Sequence, residues 1–116
     1  MRIQVKNPVD KQTVSNAYTG NTDRPVEIVG TGGMVGLLVE DAGGVAKVIK
    51  RDALTGAFIG NVFMGAIGTP EALVVIDDLD DSGDPEFAAL GDNAGQRVVQ
   101  IKDSVSGAQV NTIDFP

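Results

Sequence analysis

The sequence predicts an all-β protein built from tandem units of four antiparallel strands. Three observations point there. Runs of β-branched and apolar residues recur every ~8–12 residues, each bounded by Gly, Asn, Asp or Pro. The 15 glycines lie mostly between those runs, where turns need left-handed backbone. A turn sequence also recurs: DALTGA at 52–57 returns as DSVSGA at 103–108.

The strands follow in order. Residues 3–6 (IQVK) run up to an Asn-Pro turn, and 13–18 (TVSNAY) leave it. Residues 26–29 start after Pro25 and end at Gly30; 35–39 start after Gly32 and Gly33. Residues 46–50 follow the Gly43-Gly44 pair, and 58–63 follow Thr55-Gly56. Residues 69–73 (TPEAL) place Pro where a first helical turn could begin. They run straight into LVVI, so they read as a loop entering a strand at 72–76. Three more runs, 86–90, 97–102 and 109–115, complete about ten strands, and no segment reads as a helix.

Aligning the turns extends the repetition. Asn7 matches Asp52, Val14 matches Ile59, and Pro25 matches Pro70. The units are then 2–46 and 47–96, with a half unit at 97–116; extra residues at 77–84 lengthen the second. A four-stranded unit of this length is the size of a β-propeller blade. One blade cannot bury both its faces, but blades stacked around a ring cover one another and protect their edges. Two and a half blades do not make a ring. The prediction is therefore a ring completed by missing sequence or by association of copies.

Composition narrows the function. The chain carries 9 Lys+Arg against 16 Asp+Glu, a net charge of −7, with no Cys and no His. This excludes a disulfide framework, a thiolate or imidazole zinc site and a Ser-His-Asp triad. The acidic balance argues against nucleic acid and anionic membrane as partners. No apolar run follows 1–6, so no signal peptide is expected, and no stretch is long enough to insert in a membrane as a helix.

Six of the ten residues at 77–86 (DDLDDSGDPE) are acids; without them the remaining charges nearly cancel. Read from Asp78, the segment is Asp78-x-Asp80-x-Ser82-Gly83-x-x-Glu86. Oxygens on alternate residues converge as a loop curls, and Gly83 permits the sharp turn. Asp84 can offer its backbone carbonyl, and Glu86 closes the shell. Hard oxygen donors without His or Cys favour Ca²⁺. There is no Glu at the twelfth position, where Ala89 stands, so this is not an EF-hand.

Other motifs read as structure. Gly30-x-Gly32 lacks the Lys-Ser/Thr of a phosphate loop and is a tight turn. Asp52 and Asp103 open hairpin turns that end on Gly56 and Gly107. Lys50 and Arg51 read as a solvated strand end. The carboxylates are contiguous rather than opposed across a cleft, so no enzyme is expected.

The unit VVIDDLDDSGDPEFAALG followed by VVQIKDSVSGAQVNTIDF resembles the FG-GAP/VCBS-type repeats of integrin-like β-propellers. That resemblance implies a calcium loop between two strands, carried here by Asp78, Asp80, Ser82, the Asp84 carbonyl and Glu86. Gly30-Thr31-Gly32-Gly33 stands at the matching place in the first unit without an acid, which implies a metal-free turn there and at most one Ca²⁺ per chain. The family's Phe-Gly and Gly-Ala-Pro signatures are absent. The resemblance implies a secreted or surface scaffold for binding or adhesion; together with the incomplete ring, the expectation is a self-associating module with a carbohydrate or protein ligand. The alternative is a propeller fragment of a larger secreted carbohydrate-active enzyme.

Overall fold

A computed structural model describes residues 1–18 and 23–115. Residues 19–22 of the expected first unit and residue 116 of the expected half unit lie outside the described residues. The described residues hold ten strands and no helix. They are β1 (Arg2–Lys6), β2 (Thr13–Tyr18), β3 (Arg24–Thr31), β4 (Met34–Glu40) and β5 (Ala46–Asp52). Then come β6 (Phe58–Phe63), β7 (Thr69–Ile76), β8 (Glu86–Asn93), β9 (Gln96–Asp103) and β10 (Gln109–Phe115). Each expected run falls within one of them.

The strands pair antiparallel in three sheets: β1-β2, β3-β4-β5-β6 and β7-β8-β9-β10. The sheet boundaries do not coincide with 2–46, 47–96 and 97–116; the two-stranded sheet stands at the amino end. A recurring sequence sets the length of a unit but not where its hydrogen-bonded ladder begins. The ladder breaks after β6, where Gly65 and Gly68 take φ of 70° and 61° and carry the chain to the next sheet. The prolines agree with this grouping. Pro25 and Pro70 sit on β3 and β7, both edge strands, and each is followed by a register shift that accommodates the missing N–H.

The sheets stack face on face, with β3–β6 in the middle. Along β4 the side chains alternate between two cores. Leu37 and Val39 pack with Ile3 of β1, Ala17 of β2 and Ile49. Leu38 points the other way, to Val48, Val62, Met64 and, from the third sheet, Leu73, Phe87, Ala89 and Val98. Both faces of β4 are therefore covered, which is why MVGLLVE reads as a nearly continuous apolar run. Phe87 is fully buried, and burying a Phe side chain stabilises by about 1.5–3 kcal/mol. A Cβ on Gly36 would lie 3.3 Å from its ring, so Gly36 lets the two sheets approach. The stack is open, and no ring closes among the described residues.

Polar groups tie the layers together. The Lys50 and Arg51 pair is not a solvated strand end. Lys50 is buried, and its Nζ donates to the carbonyls of Ser104 (2.8 Å) and Val105 (3.2 Å) in the third sheet. Arg51 Nη2 donates to the Tyr18 carbonyl at 2.6 Å, and its guanidinium lies 5.4 Å from the centre of the Phe58 ring. A charged head finds buried carbonyls here because it stands on the middle sheet of three.

Candidate metal centre

The acidic segment is the connection between β7 and β8. Ile76 closes β7 and pairs with Glu86, the first residue of β8, so the strand register fixes both ends of the loop. Within it the chain turns through positive φ at Asp81 (57°) and Gly83 (92°). Carboxylates supply the turn's hydrogen bonds. Asp78 Oδ2 accepts from the Gly83 amide at 2.7 Å, and Asp78 Oδ1 accepts from the Ser82 amide at 3.1 Å. Asp80 Oδ1 accepts from the same Ser82 amide at 3.2 Å.

These bonds draw three acids together. One carboxylate oxygen each from Asp78, Asp80 and Glu86 lies within 4.8 Å of the others. Glu86 is fully buried. Its Oε2 accepts from the Leu79 amide at 2.7 Å, but its Oε1 is buried with no hydrogen-bond partner. Burial pushes the Glu86 carboxyl above its usual range, and the nearby Asp80 and Asp78 charges push the same way. Asp80 is pulled lower, chiefly by its hydrogen bond with Ser82. The three ion pairs among the described residues join Arg24 to Glu40, Lys47 to Asp41 and Arg97 to Glu71, and none reaches this loop.

Ser82 and Asp84 lie in the same loop with their oxygens engaged. The Ser82 hydroxyl is 2.5 Å from Asp103 Oδ2 and 3.4 Å from the Asp84 carbonyl. Asp103 is the residue that sequence reasoning missed. Its expected turn role stands: Oδ1 accepts from the Val105 and Ser106 amides at 2.9 and 2.8 Å, as Asp52 accepts from Leu54 and Thr55. Its second oxygen reaches across to the acidic loop. The Ser82 hydroxyl and the turn amides hold the buried Asp103 carboxyl down to about 2. Only the register Glu86↔Asp103 brings the two together, and no local pattern carries that information.

The middle sheet offers a control. Its β3–β4 turn, at Gly32 and Gly33, has positive φ at both residues and no acid. The turn after β5 rests on it through the Ala53 amide and the Gly33 carbonyl (2.8 Å). The turn after β9 rests on the acidic loop in the same way, Ser104 amide to Pro85 carbonyl at 3.0 Å. The two scaffolds match, and the acids are added to one of them. Comparisons of the chain with protein-family models, with curated proteins and with solved structures find no match.

Proposed function

We propose that this chain is a non-catalytic binding or scaffolding module of β-propeller-blade type. One Ca²⁺ stiffens the end of its third sheet, and copies associate to extend the stack. The observation that carries the calcium reading is Glu86 Oε1, buried without a partner beside Asp78 and Asp80. Burial and the two neighbouring acids disfavour the charged form of this carboxyl in the fold. A cation would offset that penalty and the mutual repulsion of the three carboxylates. The donors are all hard oxygens, which suits Ca²⁺. Their oxygens also stand closer than the ~5–9 Å separation of an acid and base working across a glycosidic bond, which supports a cation site over a catalyst.

Association has its own support. The outer face of β7–β10 carries a groove of about 240 Å³ lined by Ala72, Val74, Ala88, Leu90 and Val99. On the middle sheet the face that bears Leu38, Val48 and Val62 is covered by the next sheet.

Thermal melting with Ca²⁺ and with EDTA tests the calcium reading. A ligand that binds only the folded chain raises Tm by mass action, so Ca²⁺ should raise it and EDTA should reverse the shift. An identical Tm at millimolar Ca²⁺ would sink the proposal.

A further inference from the structure

Strand β1 presents an edge that its counterparts elsewhere in the chain do not. Three hairpins share one turn geometry. In β1–β2 the Asn7 amide donates to the Gln12 carbonyl (2.9 Å) and the Lys11 amide to the Asn7 carbonyl (3.0 Å). In β5–β6 the same bonds run Asp52 to Ala57 and Gly56 to Asp52, both 2.8 Å; in β9–β10 they run Asp103 to Ala108 and Gly107 to Asp103. Lys11, Gly56 and Gly107 take matching φ of 64°, 77° and 74°. By position β1 therefore corresponds to β5 and β9. Each of those is an inner strand, paired on its far side with β4 or β8. Among the described residues β1 pairs with β2 alone.

A groove of about 290 Å³ lies beside that edge. Ile3 and Gln4 form one wall, and Pro25, Ile28 and Leu37 of the middle sheet form the other. Ile28 and Leu37 are register partners, so they share a face. Leu37 is sealed against Ile3 and Ala17, but Ile28, one strand further out, is 51% exposed. The groove thus continues the contact already made between the first two sheets.

We propose that this groove accepts an extended segment of another polypeptide, added antiparallel to β1 as β4 is added to β5. The β4–β5 pairing specifies its chemistry. Leu38 stands opposite Val48, and Val48 holds the place that Ile3 holds in β1. A Leu-sized residue opposite Ile3 would cover Ile28. Two residues either side, β4 carries Gly36 and Glu40. A small residue therefore fits beside Val5, and an acid falls one position beyond Arg2, at the amino end of the strand. β1 itself (RIQVK) has two cations and no anion, so an acidic, alternating segment is complementary to it. The inference is independent of cation binding.

The probe is a labelled synthetic peptide of sequence MVGLLVE, added to the whole chain and followed by fluorescence anisotropy and amide hydrogen exchange. Saturable one-to-one binding is expected, with slowed exchange at Arg2, Gln4 and Lys6, whose amides alternate with that of Asn7 and so face away from β2. Ile28→Glu should weaken binding by about tenfold or more while leaving Tm nearly unchanged, because Ile28 is half exposed. A peptide with Pro in place of its first Leu should not bind, since Pro removes a ladder donor. Three results would overturn the proposal: no binding at about 1 mM peptide, binding indifferent to Ile28→Glu, or protection on β7–β10 instead of β1. It would also be overturned if the Arg2, Gln4 and Lys6 amides in the peptide-free protein were as slow as those of β5 and lost that protection on dilution, because a second copy would then hold the edge.

Discussion

The Ser82 hydroxyl donates to Asp103 Oδ2 at 2.5 Å, joining two residues 21 positions apart. The bond fastens the acidic loop to the turn after β9. That same turn presents the Ser104 and Val105 carbonyls to Lys50 of the middle sheet. A continuous set of hydrogen bonds thus runs from the candidate cation site to the interface between two sheets.

Removing its first link should loosen the loop. Ser82→Ala leaves the buried Asp103 Oδ2 without its hydroxyl donor, a loss of about 1.5–3 kcal/mol for a hydrogen bond to a charged group. Urea unfolding checks the stability. Calorimetric titration should show Ca²⁺ binding several-fold more weakly, because the loop is less well held.

The pH dependence follows from Asp103. Its carboxyl titrates near 3.8 in the unfolded chain and is lowered to about 2 in the fold. Between those values the unfolded state binds more protons, so stability falls as pH falls. The contribution is complete above 3.8 and lost as pH drops through about 2. Urea midpoints taken down through this window should decline, and Asp103→Asn should flatten the decline.

Glu86 works in the opposite sense. Its carboxyl is raised by burial and by two neighbouring acids, so without a cation its charge destabilises the fold at neutral pH. Glu86→Gln keeps an acceptor for the Leu79 amide and removes the charge. It should raise the Tm of the metal-free chain and abolish the response to Ca²⁺. A metal-free Tm that falls, together with an intact Ca²⁺ response, would contradict this account.

Lys50→Met tests the interface at the far end of the set. The substitution keeps the side chain's length but strips the donor from the Ser104 and Val105 carbonyls. With Ser104 buried, the loss should be about 2 kcal/mol in urea unfolding.

What could be read from the sequence divides along the range of the interactions. The runs at 13–18, 58–63 and 109–115 coincide with β2, β6 and β10, because apolar runs and turn residues are local signals. Asp78, Asp80 and Glu86 were legible for the same reason, since one short loop holds all three. The grouping of strands into sheets was not. It depends on where the ladder stops near Gly65 and Gly68, and the turn sequences recur whichever strand begins a sheet. Lys50 misled because a Lys-Arg pair at a strand end normally faces water, and only a third layer turns it inward. Asp103 showed its turn role and hid its link to Ser82, which exists through the pairing of β8 with β9.

The outer face of the third sheet yields the last prediction. Val74 and Ile113 are 54% and 39% exposed there, in line with Ala72, Leu90 and Val99. The corresponding face of the middle sheet is dry: Leu38, Val48 and Val62 are almost wholly buried by the third sheet. Burial of apolar area contributes about 25 cal/mol per Å², so an uncovered face of this kind favours association. Across a two-fold axis the face meets itself, which needs no second patch elsewhere on the molecule. Light scattering should then give a mass of about twice that of one chain at tens of micromolar. Val74→Glu would place a carboxylate in the middle of the contact without disturbing the buried side of β7, and it should return the mass to that of one chain. A wild-type chain that stays monomeric at that concentration would show that this face does not drive association.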